Sequence, residues 1–203
     1  KSFQRGRHVV MVNVEADVLA GPLLAREAAR AGVVYSLAWG DQPALICEHV
    51  DWARSCGFEV TAAGKGTRYL PDYHSLTPDT VWAVLQQYLD IDDPESIHLQ
   101  MFNSFLDGSK SAIEMTAVCN ATGLIPQNAG LQFPSASRFE LADICKPSSD
   151  GGVLTRSGTT EVVSSLTRVG ETVAHHLAMG TFVVIQAGSD YARQCLREYH
   201  MLP

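Results

Sequence analysis

The chain is poor in the usual markers of enzyme class. No C-x-x-C pair occurs among its five cysteines, Cys47, Cys56, Cys119, Cys145 and Cys195. An odd count without paired spacing speaks against a disulfide framework or a structural zinc site, and predicts reduced thiols packed mostly in the core. There is no G-x-S-x-G elbow, no phosphate-binding P-loop and no G-x-G-x-x-G fingerprint, so these residues carry no dinucleotide site of their own. Basic charge is scarce: the formal net charge is −7, which argues against non-specific nucleic-acid binding. No apolar run approaches the roughly 18 residues of a membrane span, and no signal peptide is visible, so a cytoplasmic protein is expected.

What is present is a core-forming composition. Hydrophobic residues make up 46% of 203 residues, enough for one domain or one domain and a lobe. The sequence opens at Lys1 without Met and closes at Met201-Leu202-Pro203. We therefore expect a fragment of a longer polypeptide, whose partner domain shares the chemistry.

The opening reads as β-α-β-α-β. Strands are predicted over 8–17, 33–39 and 58–63. A helix starts at Gly21-Pro22 and ends at Gly32, and another runs from Gln42 to Ser55. This alternation predicts a parallel sheet with right-handed crossovers, over a segment bounded at residue 66. The remainder, 67–203, is expected to be helical with mixed strands. Residues 64–77 read as loop. Thr77-Pro78-Asp79 starts a helix reaching Leu89, 90–94 form an acidic break, and 95–122 hold one kinked helix or two around Gly108. Val153–Thr155 and Val162–Ser164 are predicted to pair as a hairpin, 181–186 to form a strand, and 190–199 a final helix. The fold class is thus α/β, with a parallel βαβαβ start and a mixed sheet covered by helices.

Ionisable residues follow each of the first three apolar runs. Asn13, Glu15 and Asp17 follow the first and alternate onto one face of the strand or its extension. Gly40-Asp41 follows the second, and Gly64-Lys65-Gly66 the third. In one parallel sheet all three would meet at one edge, where open α/β sheets place ligands. Lys65, on a glycine-flanked loop, would hold an anionic group or act as an acid. A further cluster, Asn103, Asp107, Lys110 and Glu114, has helical spacing and forms one polar stripe. Lys110 in the first turn of a restarted helix would oppose the helix dipole, a mild functional sign. Lys146 and Arg156 flank a Ser/Gly-rich stretch able to close over an anion. His74, His98 and the adjacent His175-His176 lack metal-ligand spacing.

The segments Val12-Asn13-Val14-Glu15-Ala16-Asp17-Val18, Ala62-Ala63-Gly64-Lys65-Gly66 and Leu106-Asp107-Gly108-Ser109-Lys110-Ser111-Ala112-Ile113-Glu114-Met115 resemble the catalytic domain of one family. Cys119-Asn120-Ala121-Thr122-Gly123-Leu124 and Gly151-Gly152-Val153-Leu154 extend the likeness in the same order. The family is that of 1-deoxy-D-xylulose-5-phosphate reductoisomerase-like proteins, also labelled homoserine-dehydrogenase-like NAD(P)-dependent oxidoreductases. The resemblance implies an N-terminal Rossmann domain in the same polypeptide, this central catalytic domain, and a C-terminal region related to SAF domains. Some members convert 1-deoxy-D-xylulose 5-phosphate to 2-C-methyl-D-erythritol 4-phosphate with NADPH, a step of isoprenoid biosynthesis. The loop Thr67-Arg68-Tyr69-Leu70-Pro71-Asp72-Tyr73-His74 departs from the Asn-rich loop of members acting on the sugar phosphate.

The expected chemistry is NADP- or NAD-linked hydride transfer at a hydroxy or keto carbon. Lys65 and Lys110 are the expected proton-handling and charge-stabilising groups, with Asp107 and Glu114 holding Lys110. Asn13, Glu15, Asp17, Asp41, Asn103 and Arg156 are expected to contact substrate, and Glu15 and Asp17 to bind Mg²⁺ or Mn²⁺ if isomerisation is involved. A homoserine-like amino alcohol is the competing substrate. A sugar- or anion-binding module without chemistry is the competing class. Expected partners are a small-molecule substrate and the Rossmann domain, with neither nucleic acid nor membrane, and a homo-oligomer is a further expectation.

Overall fold

A computed structural model describes residues 1–90 and 92–200. The expected acidic break over 90–94 includes Ile91, and the closing Met201–Pro203 also lies outside the described residues.

The opening unit is β1 (Val9–Met11), α1 (Val14–Arg30) and β2 (Tyr35–Leu37). The two strands pair in parallel, Val9 opposite Tyr35 and Met11 opposite Leu37. Here the structure corrects the predicted long first strand. Asn13 caps a helix, its side chain accepting from Ala16 N at 2.7 Å, so Glu15 and Asp17 occupy the first helical turn. That position suits them, because carboxylates favour the positive end of the helix dipole. Gly21-Pro22 therefore falls inside α1 rather than at its start. Proline lacks an N–H and frees the carbonyl four residues earlier. That carbonyl belongs to Val18, and Asn120 Nδ2 donates to it at 3.1 Å.

Helix α2 follows with the predicted bounds, Gln42–Ser55; Asp41 is its cap and Pro43 lies in its first turn. The next strand, β3 (Glu59–Thr67), does not join the opening sheet. It is the centre of a second sheet ordered β4-β3-β5, where β4 is Thr159–Ser164 and β5 is Thr181–Gln186. β4 runs parallel to β3 and β5 antiparallel. The predicted hairpin between 153–155 and 162–164 is thus replaced: β4 pairs with β3, while Leu154 makes only an isolated bridge to Pro147.

Gly64-Lys65-Gly66 is strand, not loop, with Lys65 opposite Val162 on one side and Thr181 on the other. Neither glycine has a positive φ. A Cβ on Gly66 would run into the backbone carbonyl of Leu177, and one on Gly64 into that of Glu161. The glycines admit neighbouring backbone, not a ligand.

Helices α2 and α5 (Ser109–Thr122) cover one face of this sheet. Ile46, Val50, Ala53, Ala63, Met115, Val118 and Val162 form that core. The other face packs Ala62, Val163, Phe182 and Val184 on Ala136, Cys145 and Leu154. A third cluster joins Leu106 of α4 (Leu99–Leu106) to Tyr73, Val81, Leu85 and Leu166. The helix predicted over 77–89 shrinks to one turn of regular helix, α3 (Trp82–Leu85), flanked by turns. Short helices α6 (Leu141–Ile144) and α7 (Asp190–Glu198) complete the chain. No helix among the described residues is long and apolar enough to cross a membrane.

Candidate functional site

Lys65 follows Ala63 on the face of β3 that α2 and α5 cover, because side chains two apart share a face. The lysine is only 6% exposed. Two helices meet its ammonium. Gln42, in the first turn of α2, accepts from Lys65 Nζ at 2.9 Å, and Glu114 of α5, 5% exposed, forms an ion pair with it. A buried ammonium is tolerable only with such partners.

One turn earlier on α5, Lys110 reaches across to α1 and donates to Glu15 at 2.9 Å. This pair is more open, the side chains being 22% and 50% exposed. The ammonium hydrogen bond holds the Glu15 carboxyl below its usual range. Helix α5 therefore carries two lysine–carboxylate contacts on neighbouring turns, one buried and one near solvent. The expected bracing of Lys110 by Asp107 and Glu114 is corrected: Glu15 holds Lys110, and Glu114 holds Lys65.

The predicted stripe from Asn103 to Glu114 breaks at Gly108, where α4 ends and α5 begins. Asp107 secures the break. One carboxylate oxygen accepts from Ser109 N at 2.8 Å, and the other from Asn103 Nδ2 at 2.8 Å. Asn103 also donates to Leu76 O, so it ties the α4 end to the preceding loop. His74 joins there, with Nδ1 3.0 Å from the Asp107 carbonyl. Around this break lies a cavity of about 420 Å³, whose wall is the stacked pair Tyr69 and Phe133.

Other predicted residues lie apart. Asp17 is buried and accepts from Tyr35 OH at 2.6 Å. Burial and this carboxylate push the Tyr35 phenol well up. Asp17 opens into a second cavity of about 690 Å³ between α1, β2, α2 and the end of α5, with Trp39, Glu48 and Asp51. Asp41 is occupied as the α2 cap, and Arg156 is exposed on the loop before β4. Glu15 and Asp17 do not fit the expected divalent metal. They have separate partners, and no group of three metal-ligating side chains occurs among the described residues. Neither cavity is lined by Lys65 or Glu114, so that pair is enclosed.

One buried carboxylate escapes sequence reasoning. Glu161 of β4 is fully buried and accepts from Gln127 Nε2 at 2.9 Å, Gln132 N at 3.0 Å, Phe133 N at 3.4 Å and Val162 N at 2.9 Å. Burial raises its carboxyl above the usual range, opposed by these donors. Its local signal, Thr-Thr-Glu-Val-Val, is a charge inside an apolar strand. Three cysteines are not thiols of lowered pKa: burial pushes Cys47 to about 11 and Cys145 to about 12, and raises Cys119 as well.

Residues 40–203 match the model of a family described as oxidoreductase DRL, catalytic domain. The match leaves out β1, α1 and β2, and with them Glu15, and takes in the second sheet, both lysines and Glu114. No curated protein matches the chain.

Proposed function

Because the chain belongs to the oxidoreductase DRL catalytic-domain family, we propose that it is the catalytic domain of an NAD(P)-dependent enzyme acting on a small hydroxy or keto substrate. The observation that carries this reading is the pair of lysine–carboxylate contacts on successive turns of α5. A bound nicotinamide would supply or accept the hydride. The chain's own residues handle the proton and the charge.

Lys110 is the accessible lysine, and it gives or takes the proton at the substrate oxygen. Glu15 accepts a hydrogen bond from its ammonium and so orients it from α1. Lys65 and Glu114 stay behind it as a fixed, water-poor dipole that does not reorganise when charge develops on that oxygen. Gln42 holds the Lys65 ammonium in place from α2.

The cofactor domain is proposed to be the Rossmann domain of the same polypeptide. The opening unit supports this. β1 and β2 form a two-stranded parallel sheet, although parallel sheets ordinarily have both faces covered. Val10 is 62% exposed and Val12 76% exposed. These strands lie outside the family match and are suited to extend a larger parallel sheet.

A second reading, oxidation of an amino alcohol, has one observation in its favour. The 690 Å³ cavity carries Asp17, Glu48 and Asp51 with no cationic side chain, and it holds the Trp39 indole, an arrangement complementary to an ammonium group. The test is nicotinamide absorbance at 340 nm with the parent protein, NADH and NADPH, and two substrate panels. Oxidation of the reduced cofactor with hydroxy-ketones supports the first reading. Reduction of NAD or NADP with amino alcohols supports the second. Silence with both panels sinks both.

A further inference from the structure

The cavity at the α4–α5 break takes no part in the chemistry above, and its lining is chemically specific. Its wall is aromatic: the Tyr69 and Phe133 rings stack at 3.9 Å between centroids and 20° between planes. Asp107 lines it, with its carboxylate oxygens engaged by Ser109 N and Asn103 Nδ2, while no lysine or arginine does. Without a cationic side chain to pair an anion, that lining suits neutral hydroxyls, which both donate and accept.

The free polar groups agree. His74 Nδ1 faces the Asp107 carbonyl at 3.0 Å, and a carbonyl only accepts. The proton must therefore sit on Nδ1, which leaves Nε2 as the ring nitrogen free to meet a ligand hydroxyl. Tyr69 and Ser109 also line the cavity, and neither hydroxyl hydrogen-bonds to another side chain or backbone group among the described residues. They bring a donor–acceptor pair each.

The aromatic wall is held against its own preference. Phe133 has a φ of 47°, a region in which a bulky side chain is strained. Glu161 fixes that backbone from beneath by accepting from Gln132 N and Phe133 N. Gly108 completes the fit: its φ is +87°, and a Cβ there would meet the Phe133 ring edge at 3.1 Å.

We propose that this 420 Å³ cavity is a subsite for the hydroxyl-bearing carbon chain of the substrate. His74 Nε2, Ser109 Oγ and Tyr69 Oη are its hydrogen-bonding contacts, and the Tyr69–Phe133 stack is the surface for its C–H groups. The inference rests on the hydroxy-substrate reading above and names the part of the molecule that recognises the hydroxyls.

The test needs no cofactor. The ring nitrogens of His74 in the full chain are followed by NMR while xylitol, erythritol, inorganic phosphate or acetate is added. Xylitol should give a saturable His74 shift, with erythritol weaker and both anions without effect. Ala112→Leu fills the cavity from an exposed helical position, and His74→Phe removes Nε2. Each should weaken xylitol binding at least tenfold, with the unfolding midpoint of Ala112→Leu unchanged. Saturable shifts with phosphate or acetate but not with the polyols overturn the assignment, as does equal xylitol binding in wild type and Ala112→Leu. Should hydride transfer fail with every substrate while xylitol still binds here, the subsite stands and the oxidoreductase substrate reading falls. Turnover of a hydroxy-ketone with a KM untouched by Ala112→Leu means the reverse: the substrate reading stands and the subsite falls.

Discussion

The opening unit and the second sheet are built from similar residues but held in different ways. In β3, Thr61 to Gly66 are all buried and the strand is paired on both sides. In β1 and β2 no residue is buried, and each strand has one partner. Side-chain ties between the opening unit and the rest are few: the Lys110–Glu15 ion pair and the Asn120 amide on the Val18 carbonyl. Both run to α1 from α5. The lesson is that α5 serves as a strut. It buries one lysine–carboxylate contact against the sheet and lends another to a unit that lacks a core of its own.

The largest expected effect sits in the body. Lys65→Met leaves Glu114 buried without its cation, and breaking a buried ion pair from one side costs about 3–5 kcal/mol. Urea unfolding of the single variant and of Lys65→Met/Glu114→Leu checks this. The double variant should recover most of the loss, because an apolar pair removes the orphaned charge. If the single variant unfolds at the wild-type midpoint, the contrast between body and opening unit collapses. In turnover assays of the parent enzyme, both variants should remain impaired.

Glu161 comes next. Glu161→Leu strands the Gln127 amide and the Gln132 and Phe133 N–H groups in the interior, at a cost of about 3 kcal/mol. The wild type should also respond to pH. Its native pKa is raised, so the folded form stays protonated at pH values where the unfolded chain ionises. The stabilisation is complete below the unfolded pKa of about 4.5 and is lost as pH rises through the native value. Unfolding midpoints of wild type and Glu161→Gln at pH 4.5 and pH 8 should therefore draw closer at the higher pH. A gap that widens with pH refutes the raised carboxyl.

Much of this was legible in the sequence where a local rule acted alone. The α2 helix and its end at Ser55 follow from its apolar positions and Gly57 just beyond, whereas Asp41, expected at the substrate, caps it instead. The break at Gly108 and strand β5 were equally plain. The failures have a common cause, in that two rules competed over the same residues. Val-Val-Met-Val-Asn-Val-Glu-Ala-Asp alternates like a strand, yet Asn13 is a strong helix cap, and the cap prevailed. Gly-Lys-Gly reads as a turn, but its glycines answer to backbone from β4 and the 177–180 segment. Those constraints are distant in sequence and leave no local trace. The same holds for the Lys65–Glu114 and Lys110–Glu15 pairings, 49 and 95 residues apart.

A smaller effect tests the opening unit directly. Asn13→Ala removes the α1 cap and should cost about 1 kcal/mol. Because few polar side-chain ties hold α1 to the body, that loss should appear as local opening. Hydrogen exchange should quicken in α1 and β1 while β3 amides keep their protection. Uniform acceleration through β3 means that the two regions unfold together, and the comparison fails.

The smallest stability effect belongs to the contact on which the proposed chemistry leans most. Lys110 and Glu15 form a half-exposed pair, which solvent screens, so Glu15→Gln should shift stability by less than about 1 kcal/mol. The sign is fixed by the lowered Glu15 pKa. The contribution is present above the unfolded value of about 4.5, is lost as pH falls through the native value, and fades in 1 M salt. Lys110→Met should be similarly mild in urea unfolding. Its turnover in the parent enzyme should nevertheless fall by about 100-fold or more if this lysine moves the proton. That combination, a near-native unfolding midpoint with a collapsed kcat, separates Lys110 from Lys65, whose removal should damage both. Turnover preserved in Lys110→Met would shift the proton-handling role to the buried lysine and leave the α1–α5 contact as a tether alone.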